Sequence, residues 1–460
     1  MSSGQAVKRD VEGVLIGHGV SMDNRMKNIP VYLMDEYRKR GTFVFGTTGV
    51  GKTRLEEIIA VDDVRTGKNL IIMDPKCDQG LLSTIYSVAR QCGRLKELQL
   101  ITPVFPHCSA KIDPMAIFSD PEELITHSIS GIQGNDPFYG AASRLFVTPI
   151  IYGNLILAKS EGRLPSVTLE QVFEGTQQTE MEVLLKALES LPDDFAEEED
   201  AHRYAALLKS NLAKPADYRE KITTTLHSCL VPCITGNIGK IIGHADSNKL
   251  IERLEDGERV IAVVHTGTMV SPSSAAILGR MLLSMIMATV GRHYLSRKER
   301  IEPALSLHID EAHAVINPDT LNILAMAGSA NVMTHLYTQS VSQIHAALGS
   351  KDLGLSAMSN TNCKIFMRCA DKDSAGYCVE HFGTREKLDG VFGMGQVTTR
   401  QVEKNVLEEK DILDLQPQEA YMMTYGGRYA FRTIKTPKSD CKLLFPKSTT
   451  NLTTPRMKRN

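Results

Sequence analysis

The chain has 460 residues, 42% of them hydrophobic and 23% charged, which is the composition of a globular protein with two or three domains. Its formal net charge of −2 excludes a general electrostatic attraction to DNA, so nucleic-acid binding would need a local basic surface. Nine scattered cysteines indicate reduced thiols in a cytoplasmic setting. His227, Cys229 and Cys233 have no second ligand pair at zinc-site spacing, which favours buried thiols over a metal site.

The first 120 residues predict an N-terminal arm followed by a strand–helix alternation. Residues 1–40 are polar apart from Val14–Gly17, which predicts an edge strand or a docking arm. Strand, helix, strand and helix are then predicted at Thr42–Phe45, Lys52–Thr66, Leu70–Met73 and Leu81–Cys92. This order is typical of a βαβ unit, so residues 41–120 are expected to form the first part of a parallel-sheet nucleotide-binding domain.

The character of the chain changes after residue 120. Residues 121–235 are helix-favouring and charged, and we expect them to form an inserted all-α domain. Its acidic run Asp193–Asp200 is better explained as a solvated loop between helices than as a partner surface. The apolar stretch Val147–Ala158 is too short to span a membrane and predicts a buried core helix.

The α/β pattern returns over residues 236–436, the second part of the nucleotide-binding domain. Strands are predicted at Arg259–Val264, Ala304–Ile309, Val332–Tyr337 and Cys363–Met367, with helices at Ala275–Val290 and Leu321–Ala327. Arg280 interrupts the first of these helices, so no transmembrane segment is expected. Residues 437–460 are rich in Lys, Ser, Thr and Pro and predict a flexible tail or a docking peptide.

A glycine-rich loop follows the first buried strand and opens the first helix. It fits G-x-x-x-x-G-K-[ST] with Gly46, Thr47, Thr48, Gly49, Val50, Gly51, Lys52 and Thr53. The glycines let successive backbone N–H groups face the phosphates of ATP, and the N-terminus of the helix adds its positive dipole. Lys52 is expected to reach the β- and γ-phosphates, and the Thr53 hydroxyl is expected to bind Mg²⁺.

Acidic residues at the end of another strand supply the second half of such a site. Asp310 and Glu311 follow the apolar run 304–309; Asp310 is expected to hold Mg²⁺, and Glu311 to orient and deprotonate the attacking water. Gln339 lies just beyond a later strand and either senses the γ-phosphate through water or caps a helix. Asp74-Pro75-Lys76 ends the strand after the P-loop helix, where sheets meet ligands, although Asp-Pro also favours a plain turn.

The ordered set of motifs resembles the type IV secretion coupling proteins of the TraD/TraG group, and most closely the TraD branch of integrative conjugative elements. The resemblance covers roughly residues 11–435 and is carried by the following segments of the chain. They are Phe45–Arg54, Asp74–Asp78, Lys111–Met115, Asp136–Phe138, His308–His313 and Thr338–Gln343.

The resemblance implies an α/β fold: a RecA/FtsK-like P-loop NTPase with an all-α domain. This domain is inserted between the P-loop (Walker A) motif and the acidic (Walker B) motif. It implies a homohexamer around a channel, with ATP and Mg²⁺ bound between subunits. It also implies DNA or relaxase–DNA cargo and inner-membrane subunits of a secretion channel as partners. By this likeness Lys52 and Thr53 are the Walker A pair, Asp310 and Glu311 the Walker B pair, and Gln339 the glutamine of the later motif.

Two features depart from the family pattern. Relatives usually begin with transmembrane helices, whereas about 40 polar residues precede this P-loop, so a cytoplasmic or peripheral inner-membrane location is expected. Relatives also place an arginine before the glutamine, as a finger acting on the neighbouring subunit. Residues 327–331 contain none, which leaves Arg280 and Arg368 as candidates.

Two other functions agree with the same residues. An FtsK/HerA-like DNA translocase unconnected to secretion would account for the absence of membrane helices. A recruitment platform, with a structural nucleotide site and a helical domain that binds cargo or adaptors, would fit the acidic insertion and the near-neutral net charge.

Overall fold

The computed structural model describes residues 11–132, 137–192, 195, 197–243, 247–296, 300–317, 326–393, 396–436 and 439–444, and the side chains of residue 137 and of 387–402 are not described. Several sequence predictions therefore lie wholly or partly outside the described residues. They are the start of the arm, Asp136, part of the acidic run 193–200, most of the helix at Leu321–Ala327, and most of the tail 437–460.

A sheet of eleven strands forms the centre of the described chain, and a two-stranded ribbon stands apart from it. The strands are β1 (Gly13–Ser21), β2 (Ile29–Met34), β3 (Thr42–Phe45), β4 (Asn69–Asp74), β5 (Leu98–Ile101), β6 (Ile261–His265), β7 (Leu305–Ile309), β8 (Val332–Thr338), β9 (Cys363–Phe366), β10 (Thr384–Gly393), β11 (Gln396–Asn405), β12 (Glu419–Thr424) and β13 (Gly427–Thr433). The strand order of the large sheet is β2-β1-β13-β12-β9-β3-β8-β7-β4-β6-β5, and β10 pairs with β11.

Seven neighbouring strands of the large sheet, from β9 to β5, are parallel. Their carboxyl ends therefore lie at one edge, where ligands of open α/β sheets bind. The register pairs Phe45 with Thr338 and Met73 with Ile309. The segments that follow β3, β4, β7 and β8 must consequently meet at this edge.

Four antiparallel strands extend the sheet beyond β9. β12 pairs with β9 and with β13, β13 pairs with β1, and β1 pairs with β2. The run Val14–Gly17 thus belongs to a strand, but the predicted edge position is wrong, because β1 is hydrogen-bonded on both sides and β2, which follows it, is the edge strand. Part of the predicted N-terminal arm is therefore hydrogen-bonded into the main sheet.

The helices flank the sheet and form a region of their own between β5 and β6. They are α1 (Asp35–Arg38), α2 (Lys52–Thr66), α3 (Gln79–Gln91), α4 (Pro121–Ile129), α5 (Pro137–Ser160), α6 (Leu169–Gly175), α7 (Gln178–Glu189), α8 (Glu198–Leu212), α9 (Ala216–Ile234), α10 (Gly236–Gly239), α11 (Lys249–Glu255), α12 (Pro272–Leu295), α13 (Val341–Leu348), α14 (Lys351–Ser359), α15 (Lys372–Phe382) and α16 (Glu409–Leu413). Short 3-10 turns lie at Leu95–Glu97, Pro106–Cys108, Ala312–Ala314 and Ala327–Ala330.

The predicted class, an α/β protein with a parallel-rich sheet and an inserted helical region, matches this architecture. The inserted helices α4 to α11 interrupt the α/β order, and their apolar faces pack into the same core as α12 and the sheet. The prediction of α2 at residues 52–66 agrees with the structure at both ends. The domain boundaries at residues 120 and 235 stay predictions.

Of the helices that the structure describes, α5 and α12 are long and apolar enough to cross a membrane by length and composition alone. In their most apolar windows, however, 61% and 72% of the residues are buried inside the protein. Phe146 and Ile150 of α5 and Leu282 of α12 belong to the main hydrophobic core. Both helices therefore have the environment of core helices, as the sequence predicts.

The thiols near His227 are buried rather than grouped around a metal. Cys229 Sγ donates a hydrogen bond to the carbonyl of Ser128, and Cys233 Sγ donates to the carbonyl of Cys229. Burial raises the pKa of Cys229 to about 12, which disfavours the thiolate that a zinc site requires. Among the described residues no group of His, Cys, Asp and Glu is placed to hold a metal by itself.

Candidate nucleotide site

The P-loop runs from β3 into α2 at the carboxyl edge of the sheet. Gly49 (φ 81°) and Gly51 (φ 114°) have left-handed backbone conformations, which favour glycine and let the loop curl. The loop is tied to its neighbours by two backbone hydrogen bonds, from Gly46 N to the carbonyl of Thr338 (3.2 Å) and from Thr47 N to the carbonyl of Arg368 (2.9 Å). A curled glycine-rich loop that opens a helix is typical of anion-binding sites, and phosphate binding by this loop stays a prediction.

Lys52 is the first residue of α2, and its side chain is turned back onto the loop. Its Nζ atom donates hydrogen bonds to the carbonyl oxygens of Gly46 and Thr47, the latter at 3.2 Å. Burial lowers the pKa of Lys52, and the carboxylates of Glu311 and Asp310 oppose that effect. The amine therefore lies within the P-loop, close to where phosphates would be bound, and Thr53 follows it half-buried in the first turn of the helix.

Asp310 and Glu311 come directly after β7, next to the end of β4. Asp310 N donates to the carbonyl of Met73 (3.0 Å), which holds the turn against the neighbouring strand. Glu311 has a left-handed backbone (φ 47°, ψ 50°), which for a residue with a side chain costs about 1–3 kcal/mol. That conformation redirects the Glu311 carboxylate toward the P-loop side of the edge, where it meets Gln339.

Lys76 bridges both acids. Its Nζ lies 3.0 Å from Asp310 Oδ2 and 2.6 Å from Glu311 Oε1. Burial raises the pKa of Glu311, but hydrogen bonds from Lys76 and Gln339 outweigh burial and lower it below its ordinary value. Burial lowers the pKa of Lys76, and Asp310 and Glu311 outweigh that effect and raise it. Lys76 and Glu311 are therefore both charged at neutral pH.

Gln339 connects the acids to the P-loop. Its Nε2 donates to Glu311 Oε1 (2.9 Å), and its Oε1 accepts from the Thr48 hydroxyl (3.4 Å). The cap of the following helix α13 is Ser340, whose hydroxyl accepts from Gln343 N (3.3 Å). The alternative of a helix-capping Gln339 is thus not what the structure shows, because Ser340 has that position.

Arg280 and Arg368, the two candidates for an arginine finger, both lie close to the candidate site of the same chain. Arg368 is exposed, and its carbonyl holds the P-loop through Thr47. Arg280 lines a cavity beside Asp310, and its Nη2 lies 3.4 Å from the carbonyl of Ala314. The segment 327–330, where relatives place the finger, is a 3-10 turn packed against Lys39.

Sequence reasoning missed the position of Lys76 between the acids, and it missed His313. The signal for Lys76 was present, because Asp74-Pro75-Lys76 ends a strand at the ligand-binding edge. The local pattern could not separate a plain turn from a site lysine. His313 Nδ1 lies 3.6 Å from Glu311 Oε2, a contact that depends on the 3-10 turn after Glu311 and has no local sequence pattern.

The arrangement fits a magnesium–nucleotide complex. The P-loop amides and Lys52 are groups of the kind that bind phosphates, and a hydroxyl (Thr53) and a carboxylate (Asp310) are hard oxygen ligands of the kind that Mg²⁺ prefers. The ammonium of Lys76 pairs with Asp310 in this structure, and the role of Asp310 as a Mg²⁺ ligand stays a prediction.

Replacing Lys76 with Met is expected to shift the acidic limb of any ATPase pH profile to higher pH. Lys76 lowers the pKa of Glu311, so without it the carboxylate takes up its proton at a higher pH and the base form is lost earlier on acidification. The measurement is kcat against pH. Lys96→Met, at the opposite edge of the sheet before β5, is the control and should leave the profile unchanged. Superimposable profiles for Lys76→Met and wild type would contradict this role.

Comparison with known proteins adds a family segment. Residues 304–417 match the family described as the TraM recognition site of TraD and TraG. The segment includes Asp310, Glu311 and Gln339 and continues through the β10–β11 ribbon to α16. No curated protein matches the chain.

Solved structures match nearly the whole chain at low sequence identity. A bacterial conjugative coupling protein, TrwBdeltaN70 in an unbound form, is 14% identical with a TM-score of 0.69, over 97% of this chain and 95% of its own. The plasmid coupling protein TrwB with ADP and Mg²⁺ is 14% identical with a TM-score of 0.66, over 96% and 98%. VirB4 of Thermoanaerobacter pseudethanolicus is 13% identical with a TM-score of 0.53, over 94% and 99%.

The fold and the loop define a P-loop NTPase of the RecA/FtsK-like class, with an inserted helical region. Within that class, the fold is similar to that of the conjugative coupling protein TrwB, and residues 304–417 match the segment described for TraD and TraG. The predicted resemblance to the TraD/TraG group of coupling proteins is confirmed.

Proposed function

We propose that the chain is an ATP-hydrolysing coupling protein that recruits DNA, or a relaxase–DNA complex, and pumps it into a type IV secretion channel. The observation that carries the proposal is the connection of Glu311 through Gln339 to Thr48 of the P-loop. A site for binding alone has no need of a buried carboxylate held at the γ-phosphate end. The coupling role is supported by the fold and by the match to a TraD/TraG segment.

Each residue has one task in this proposal. The P-loop amides and Lys52 bind the phosphates, with Lys52 leaving the carbonyls of Gly46 and Thr47 to do so. Thr53 and Asp310 would hold Mg²⁺, which supplies charge neutralisation at the phosphates. Glu311 accepts the proton of the attacking water, and Gln339 fixes that carboxylate and the water. Lys76 keeps Glu311 ionised.

The assembly belongs to the same proposal. A homohexamer with ATP between subunits would let a neighbour supply the arginine that residues 327–331 lack. DNA would pass through its channel, and secretion-channel subunits of the inner membrane would bind it at the cytoplasmic face. The TrwB structures with ADP and Mg²⁺ and with nucleotide analogues support ATP and Mg²⁺ as ligands.

The test is the ATPase rate with and without single-stranded DNA at low salt, for wild type and Lys52→Ala. We expect DNA to stimulate the wild type, because a translocase couples turnover to its track. Lys52→Ala should lose turnover in both conditions, because the phosphates lose their only lysine in the loop. Equal ATPase rates for the two proteins would contradict the assignment of the nucleotide site. A wild-type rate that does not change when DNA is added would contradict the proposal of a DNA motor.

A recruitment platform is the second candidate. It is favoured by the description of the matched segment as a recognition site for TraM, a contact made by TraD and TraG. In that case nucleotide binding would stabilise assembly, and an adaptor protein would bind tightly while DNA leaves ATP turnover unchanged. Adaptor binding measured beside the ATPase assay separates the two functions.

A further inference from the structure

A cavity of about 260 Å³ lies beside the Walker B acids, on the side away from the P-loop. It is formed where β4, β6 and β7 end, since Pro75, Thr266 and Asp310 follow those strands and line it. The start of α12 closes another side. Its polar lining consists of Arg280, His313, Thr266, Thr268, Ser273 and Asp310.

Arg280 is the unusual member of this lining. Its Nε atom is buried and has no hydrogen-bond partner, and among the described residues Arg280 forms no ion pair. Its one hydrogen bond, to the carbonyl of Ala314, is long at 3.4 Å. Burial lowers the pKa of Arg280, as expected for a cation that loses water without gaining a carboxylate. Arg280 is partly buried, so water compensates part of its charge, and a bound anion would compensate the rest.

The carboxylate in the cavity does not compensate Arg280. Asp310 is already paired with Lys76 at 3.0 Å. The remaining polar groups are donors or neutral: three hydroxyls, and His313, whose Nδ1 is buried without a hydrogen-bond partner. The cavity has room for about eight waters at roughly 30 Å³ each. A tetrahedral oxyanion therefore fits both its volume and its donors.

We propose that this cavity binds a phosphate-class oxyanion, with Arg280 as the charged ligand and the hydroxyls of Thr266, Thr268 and Ser273 as further donors. A guanidinium and hydroxyl groups are a common donor set for phosphate. The source is either free inorganic phosphate or a phosphodiester of a nucleic-acid strand. His313 stands between the cavity and Glu311, at 3.6 Å from Oε2, so a bound oxyanion can reorient the ring that neighbours the Walker B carboxylate.

Calorimetric titration with inorganic phosphate tests the cavity. The titration uses Lys52→Ala protein, in which phosphate binding at the P-loop should be weakened and should not compete. In Lys52→Ala protein we expect saturable binding, because the cavity does not use Lys52. In Lys52→Ala/Arg280→Gln protein the affinity should fall at least tenfold, and with Arg280→Lys it should fall less. Arg90→Gln, which removes an exposed arginine of α3 that pairs with Asp440, is the matched control and should bind as its parent does.

Thermal unfolding with and without phosphate is a second measurement, which still reports phosphate binding if Arg280→Gln lowers the stability of the protein. Phosphate should raise the Tm of Lys52→Ala protein and not that of the double variant, provided that both unfold cooperatively. Absence of saturable binding in Lys52→Ala protein, or equal affinity with and without Arg280, would overturn the proposal. Neither outcome depends on hydrolysis or on secretion, so the result is independent of the proposed function.

A labelled single-stranded oligonucleotide distinguishes the two sources. If Arg280→Gln weakens its binding severalfold, lowers the salt slope by about one and removes competition by phosphate, the ligand is a phosphodiester. If oligonucleotide binding is unchanged while phosphate binding is lost, the ligand is free phosphate. If Arg280→Gln changes neither, the cavity is not an oxyanion site.

Discussion

Glu311→Gln is expected to lower kcat for ATP by about 10²–10⁴-fold while ATP binding is retained, because removing a general base costs a factor of this size. Gln keeps the shape of the side chain and can still accept a hydrogen bond from Lys76, so the local structure should persist. The P-loop and Lys52 are untouched, so nucleotide affinity should stay within a few fold. The measurement is steady-state turnover together with equilibrium binding of a fluorescent ATP analogue.

The control for this variant is Glu180→Gln, at an exposed position of α7 in the inserted helical region. It makes the same chemical change away from the site and should keep the wild-type rate. A Glu311→Gln protein that turns over ATP like wild type would remove Glu311 from the mechanism. A protein that no longer binds ATP would show instead that the carboxylate has a structural role.

Asp63→Asn is expected to lower the free energy of unfolding by about 3–5 kcal/mol, the usual cost of breaking a buried ion pair from one side. Arg38 is completely buried, and its guanidinium donates to both carboxylate oxygens of Asp63, at 2.8 Å for Nη1. Burial raises the pKa of Asp63, but Arg38 and Lys68 outweigh burial and hold it well below its ordinary value of 3.8. The stabilisation is therefore present above about pH 4 and is lost as pH falls through the folded-state pKa.

Urea unfolding at pH 7 measures the effect of Asp63→Asn. The control is Asp200→Asn, which breaks an exposed pair with Arg203 on α8 and should cost less than about 1 kcal/mol. An apolar double variant, Arg38→Met/Asp63→Leu, should regain part of the loss, because it leaves no unpaired charge in the core. A single variant as stable as wild type would show that Arg38 is satisfied by Asp35 and its other neighbours.

Much of the fold could be predicted from the sequence, because its parallel strands are short apolar runs that end at turn residues. β3, β4, β7 and β8 lie where those runs predict them. Because these strands are parallel, the loops that follow them lie at one edge of the sheet. The antiparallel flank could not be predicted in the same way. β12 alternates buried and partly exposed residues, whereas β13 is partly exposed over most of its length. The two form a hairpin with each other, but their other partners, β9 and β1, are distant in sequence, so no local pattern indicates which strands they join.

The residues of the candidate site also fall into two groups, those that a local sequence motif predicts and those that it does not. Lys52, Asp310 and Glu311 have motifs that are contiguous in sequence, so they could be proposed as a set. Lys76 and Arg280 take their surroundings from three-dimensional neighbours, and the sequence marks them only as a turn residue and as an interruption in an apolar helix. Arg280 was a candidate for the arginine finger because of its place in the sequence. In the structure its side chain lines the cavity beside Asp310, which the sequence could not indicate.

The antiparallel flank bears on how the chain folds as it is made. β1 and β2 precede the other described strands in the chain, but β1 joins the large sheet only through β13, where Gly17 pairs with Thr433. Until β13 is synthesised, the β1–β2 hairpin has no further strand to pair with, and an isolated hairpin is marginal in water. Helix α2 can cover its apolar face, since Val14 and Ile16 share a core with Leu55, but the unpaired edge of β1 stays open to aggregation or to chaperones until β13 is made. Production of the protein should accordingly be more sensitive to chaperone supply than its final stability suggests.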